Sequence, residues 1–242
     1  MIPLRDLNPT RRRPIVTWVL IAVNVGVWLY QFSLNDYQLG VATPSFEHFV
    51  REWGAVPHHL TSGGKAGIYF TPFTSMFMHG GWMHLIGNMW FLHVFGDNIE
   101  DELGHARYLL FYLATGLGAV ALQVAIDPSS TTPMVGASGA IAGVLGGYMM
   151  LHPRARVLTL VPIVVFFQFI ELPAFLFLFV WFGLQLLQGF LSLGVADEGA
   201  GGVAFFAHIG GFVMGLVLVR LLRLPASERG AIVPDIRRAE WR

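Results

Sequence analysis

Apolar residues dominate six stretches of the chain, at about 15–32, 80–96, 106–126, 138–151, 173–192 and 203–222, and glycine, proline or charged residues separate them. About 20 apolar residues at 1.5 Å rise per residue cross a hydrocarbon core about 30 Å thick, so runs of this kind read as membrane-spanning helices. The pattern predicts an all-α polytopic membrane protein in which residues 15–222 form a bundle of six transmembrane helices. A further apolar stretch, Val157 to Ile170, contains Pro162 and runs into Glu171 and Pro173, and it reads as an interfacial or re-entrant connection. The long segment 33–79 carries Trp53, Tyr69 and Phe70 and reads as a partly helical loop in the interface, where aromatic side chains are favoured. Asp97, Glu100, Asp101 and Glu102 read as a solvated turn, and Gln168, Glu171, Gln185 and Gln188 as interfacial or helix-packing groups.

Composition agrees with the pattern, because 55% of the 242 residues are hydrophobic and only 12% charged, against about 25% charged in a soluble domain. Formal net charge is zero, which gives no reason to expect nucleic acid or an acidic substrate as a partner. The distribution of charge carries more. With the N-terminus inside, 13 Arg residues fall on the inner side, and Arg51 and Lys65 alone fall outside. This satisfies the positive-inside rule with both termini cytoplasmic, residues 1–14 and 223–242 as inner segments and 33–79 outside. A seventh full span at 157–170 would put the six C-terminal arginines outside. Arg11, Arg12 and Arg13 precede Ile15 as in a signal peptide, but the following run is long enough to span and no small-residue cleavage site follows it, so it reads as a retained first span. The expected location is a prokaryotic cytoplasmic membrane. With no cysteine in the chain, disulfides, thiolate metal sites and a cysteine nucleophile are excluded.

Polar side chains inside spans are costly and mark candidate sites. Four stand out: His84 and Asn88 in the second span, Ser138 at the start of the fourth, and His208 in the sixth. The fourth span is short, about 21 Å, so one end must be submerged. Arg154 and Arg156 anchor its far end inside, which leaves Ser138 roughly 9 Å below the outer surface. His208 lies six residues after Gly202, about 9 Å into a helix descending from the same side. His84 and Asn88, at i and i+4, share a face of another descending helix. Residues 131–137 must then dip into the bilayer, which irregular backbone tolerates only beside a protein-lined or water-filled cavity. Serine needs a neighbouring base, and imidazole titrates near neutrality. Ser138, Ala142 and Gly146, flanked by Gly139, Gly143 and Gly147, form one small-residue face, and His208, Gly211 and Gly215 form another, so close approach of the two helices is expected. Ser138 also opens a helix, where unpaired N–H groups and the positive dipole end suit an oxyanion. His84 and Asn88 are candidate side-chain donors to it. The acids Asp127, Asp197 and Glu198 lie in loops, which favours a dyad over a triad.

Gly136-Ala137-Ser138-Gly139, Ala207-His208-Ile209-Gly210-Gly211 and the spacing His79, His84, Asn88 resemble the nucleophile, base and oxyanion motifs of the rhomboid family of intramembrane serine proteases. The resemblance covers about residues 15 to 222. It implies a six-helix rhomboid fold with Ser138 as nucleophile, His208 as base, and His84, Asn88 and the Ser138 backbone N–H as the oxyanion site. It also implies transmembrane protein substrates entering laterally past the fifth span, cleavage near the outer face, and no cofactor. Two positions depart from the family's pattern. Phe70-Thr71 stands where many members carry Trp-Arg, and Ala142 where some carry an aromatic that packs on the histidine.

His79, His84 and His93 invite a metal reading, but their spacing lacks the H-E-x-x-H arrangement of helix-borne zinc sites, and no metal is expected. The alternative function is a non-proteolytic rhomboid-like protein that binds client transmembrane helices, whose mark would be loss of Ser138 or His208. A transporter would show paired interrupted spans or an internal repeat.

Overall fold

The computed structural model describes residues 1–34, 43–63, 66–163, 166–192 and 205–228. Lys65, Asp197, Glu198, Gly202 and the tail from 229 onward lie outside the described residues. In chain order the elements are β1 (Ile2–Asp6), α1 (Ile15–Ser33), the short helices α2 (Pro44–Trp53), α3 (Pro57–Thr61) and α4 (Thr71–Thr74), then α5 (Trp82–Leu103), α6 (His105–Ile126), α7 (Ser138–Leu151), β2 (Arg156–Ile163), β3 (Phe166–Pro173), α8 (Ala174–Ser192) and α9 (Phe205–Leu222). Each of the six apolar stretches is therefore a helix. By length and composition α1, α6 and α9 are able to cross a membrane, and α7 and the Ala174–Gln188 part of α8 are shorter apolar helices.

The central element is α7, buried without interruption from Gly139 to Tyr148. Its small residues make that position possible. A methyl group added at Gly211 or Gly215 of α9 would overlap the carbonyl oxygen of Gly139 or Gly143, and one added at Gly146 would overlap the carbonyl of Phe212. Toward α6 a methyl at Gly139 would lie 2.6 Å from the Ala119 Cβ. Helices α7 and α9 thus meet backbone to backbone, the arrangement that small residues permit in membrane bundles.

The all-α expectation is corrected by a three-stranded antiparallel sheet in the order β1-β2-β3. Asp6 of β1 faces Val157 of β2, and Ile163 of β2 faces Phe166 of β3. The stretch read as a re-entrant connection is this hairpin, and the segment before residue 15 contributes the third strand. Both hairpin strands are rich in β-branched and aromatic residues, which favour strands. The first six residues of β3 are exposed on both faces, so the stretch shows no alternation and resembles an apolar run. Asp6 fastens the sheet to the bundle, accepting hydrogen bonds from Tyr148 Oη of α7 at 2.9 Å and Asn98 Nδ2 of α5 at 2.7 Å.

The acidic run is the second correction. Instead of forming a solvated turn, residues 97–102 continue α5 to Leu103, and the chain turns at Gly104, whose φ of +73° favours glycine. Glu100, Asp101 and Glu102 are buried. The Glu100 carboxylate accepts from Val16 N, Thr17 N and Thr17 Oγ1 at 2.7–2.8 Å, satisfying first-turn N–H groups of α1, whose N-cap residue Pro14 supplies no side-chain bond. Arg11 binds Asp101 at 2.7 Å and Glu102 at 2.5 Å, and Arg223 binds Glu102 at 2.7 Å. Burial opposes the charge on Arg11, but the hydrogen bonds to Asp101 and Glu102 outweigh it and raise its pKa above the ordinary value.

Candidate active site

The site lies at the end of the bundle away from the sheet, where α7 and α9 begin. Two contacts anchor the irregular segment before Ser138. Ala55 and Met134 exchange backbone bonds at 2.8 and 3.1 Å, and Gly136 N donates to Ser75 O at 2.9 Å. Gly136 has φ +134°, and a methyl there would lie 2.8 Å from His84 Nε2 and 3.5 Å from Ser138 Oγ. Only glycine satisfies both the backbone angle and the close approach. His84 therefore sits beside the entry to Ser138.

Ser138 is the first residue of α7, and Ala137 before it makes no side-chain cap bond. Helix geometry leaves the first-turn N–H groups there without intrahelical partners. His208 is in the first turn of α9, and its Nε2 lies 2.7 Å from Ser138 Oγ. The other ring nitrogen, Nδ1, lies 2.6 Å from Gln185 Oε1 on α8. One turn earlier on α8, Trp181 places its ring 6.2 Å from the His208 ring at 36°, and it also meets Phe212 at 6.1 Å. At the start of the same turn of α9, the Ala207 N–H donates to Gln123 Oε1 of α6 at 3.3 Å.

Ser138 and His208 are thus in direct contact, and His84 is their neighbour across Gly136. Asn88 lies one turn further along α5, buried, with its Nδ2 lacking an acceptor among the described residues. Neither His84 nor Asn88 bonds to Ser138 itself among the described residues. His79 packs edge-on against His84 at 5.1 Å, and its backbone exchanges two bonds with the Gln31 side chain of α1, at 3.0 and 3.1 Å. The stripe formed by Gly139, Gly143, Gly147, Gly211 and Gly215 lies at or near the α7–α9 contact. A cavity of about 40 Å³ borders Ser138, with Met76, Gly116, Met134 and Ala207 in its wall. Among the described residues no cluster of His, Asp and Glu has the arrangement of a metal site.

Two neighbours of His208 escaped the sequence reading. Gln185, which reads from sequence as an interfacial or packing group, meets the ring nitrogen, and Trp181 lies beside the ring, while Ala142 is fully buried in α7. The available signal was the pair Trp181 and Gln185 at i and i+4 within an otherwise apolar helix. At the other departure Thr71 is buried with its hydroxyl on Ile68 O at 2.8 Å, while Phe70 is exposed.

A family model described as the rhomboid domain matches residues 67–225. The rhomboid-like protein 11, chloroplastic, of Arabidopsis thaliana is 25% identical over 91% of this chain and 70% of its own length. The putative rhomboid protease YdcA of Bacillus subtilis is 32% identical over 58% of this chain and 64% of its own length. The rhomboid protease GluP of the same organism is 31% identical over 59% of this chain, a match that spans 26% of that protein.

Proposed function

The chain belongs to the rhomboid family of integral membrane proteins, and on that premise we propose that it is a serine endopeptidase that cleaves transmembrane segments of other membrane proteins. The observation that carries the proposal is the 2.7 Å contact between Ser138 Oγ and His208 Nε2. In this reading Ser138 Oγ attacks the scissile carbonyl carbon while its proton passes to His208 Nε2. The carbonyl oxygen becomes an oxyanion, received by the Ser138 N–H, His84 and Asn88. The unpartnered Asn88 Nδ2 supports this role, because a buried donor without an acceptor costs about 1–3 kcal/mol unless a later state satisfies it. Collapse of the intermediate breaks the C–N bond, and His208 returns its proton to the leaving amine. Water then attacks the acyl ester with His208 again as base. The cavity beside Ser138 is large enough for one water molecule.

Helices α1, α5, α6, α7, α8 and α9 all cross the bilayer in this reading, with both termini and the sheet on the cytoplasmic side and the dyad in the outer half. The lipid bilayer and a transmembrane protein substrate are the partners, and the substrate enters past α8. The test is cleavage of a model transmembrane substrate by purified protein in detergent or liposomes. Ser138→Ala and His208→Ala are each expected to abolish cleavage, together with labelling of Ser138 by a fluorophosphonate. Unchanged cleavage in either variant removes that residue from the mechanism. Binding without cleavage by the unaltered protein would favour a client-helix binder.

A further inference from the structure

We infer that Gln185 is the residue that positions His208, fixing its proton on Nδ1 and leaving Nε2 free to accept from Ser138; the inference rests on the protease reading above. Neutral imidazole carries one proton, and the nitrogen without it is the acceptor. Ser138 Oγ activates only if Nε2 is that acceptor, so Nδ1 must be the donor. The atom within 2.6 Å of Nδ1 is Gln185 Oε1, an acceptor with no proton of its own. The two short contacts, 2.6 Å and 2.7 Å, are therefore mutually consistent in a single tautomer, with the proton order Ser138 to His208 to Gln185.

The surroundings restrict the alternatives. Trp181 lies one turn before Gln185 with its ring tilted 36° and 6.2 Å from the imidazole, so the two side chains of one α8 face flank the ring. Phe182 also stacks on Phe212, one turn beyond His208 on α9, at 4.5 Å, and Trp181 packs against the same ring at 6.1 Å, which sets the spacing between the two helices. No carboxylate contacts the ring among the described residues. A neutral amide thus occupies the place that an aspartate takes in a triad, orienting the ring without adding a buried negative charge to a site inside the bilayer.

In wild-type protein with 15N-labelled histidine, the His208 signal, assigned by its loss in His208→Ala, is expected to report a protonated Nδ1 and an unprotonated Nε2. Gln185→Met keeps the volume and removes the acceptor. It is expected to lower kcat about 10–100-fold, less than the about 10⁴-fold seen when a charged triad member fails to hold the tautomer, with KM changed less than about twofold. The same substitution is expected to shift the nitrogen spectrum toward the other tautomer. Gln185→Glu restores an acceptor oxygen and is expected to recover Nδ1–H and at least about tenfold of the lost rate. Gln188→Met, on the exposed side of α8, is the control and leaves both readouts unchanged. A wild-type spectrum with the proton on Nε2, or a Gln185→Met variant with unaltered kcat and spectrum, overturns the inference while leaving the protease reading intact. If wild-type protein neither cleaves nor labels at Ser138, the protease reading fails instead, and the nitrogen spectrum still decides whether Gln185 sets the tautomer.

Discussion

Replacing Gly211 by alanine tests whether backbone contact between α7 and α9 sets the dyad. The new methyl would overlap the carbonyl oxygen of Gly139 and lie 3.5 Å from the Ala119 Cβ of α6, which packs into the same junction of α6, α7 and α9. Restoring an ordinary carbon–oxygen separation requires the helices to part by more than about 1 Å. The Ser138–His208 contact of 2.7 Å would then stretch toward or beyond the about 3.5 Å at which a hydrogen bond is lost. A displacement of about 1 Å at a reacting pair costs about 100-fold in rate, and overpacking costs about 1–3 kcal/mol in stability. The assay is cleavage of a transmembrane substrate at saturating concentration, alongside thermal unfolding of the same preparation. Gly87→Ala is the matched control, because a methyl at Gly87 meets nothing within 4 Å; there the better helix propensity of alanine, worth about 1 kcal/mol, is expected to leave cleavage unchanged. A folded Gly211→Ala protein with wild-type kcat would refute the view that this contact fixes the catalytic geometry.

Asn88→Ala is expected to lower kcat by about 100-fold or more with little change in KM, since its buried Nδ2 is assigned to a group that exists only in the transition state; an equal rise in KM with constant kcat would assign it to ground-state binding instead. Glu100→Ala removes the acceptor for Val16 N, Thr17 N and Thr17 Oγ1 and leaves His105 without its 2.6 Å partner. A loss of about 2–3 kcal/mol is expected, read as a lower unfolding temperature, and an unchanged midpoint would show that water replaces the carboxylate at no cost.

The six helices were legible because burial in lipid and in protein both demand apolar residues, and a run such as His105–Ile126 needs no partner to declare itself. The contact between Ser138 and His208 was legible for a related reason: each sits on a small-residue face, and such faces permit close approach of helices. The sheet was not. Ile2–Asp6 pairs with a strand some 150 residues away, and five residues carry no period strong enough to announce it. The acidic end of α5 misled because charge usually marks a helix exit, whereas here Arg11, Arg223 and the first turn of α1 are brought to it from distant parts of the chain. Gln185 shows the same limit in the site itself. An amide on a largely apolar helix, with Gln188 one turn away, is ambiguous until the fold decides which side chain it meets.

The stripe of glycines along α7 has a mechanical consequence. Most helices rest on a cushion of side chains that can change rotamer and absorb a displacement, but the first half of α7 rests on the backbone of α9 and on Thr115 and Ala119 of α6. It behaves as a fixed post, and Ser138 at its tip inherits that rigidity. On the proposed reading, any yielding needed to accept a bulky substrate must come from the parts around the post, and a movement of α8 would reach His208 through Gln185 and Trp181.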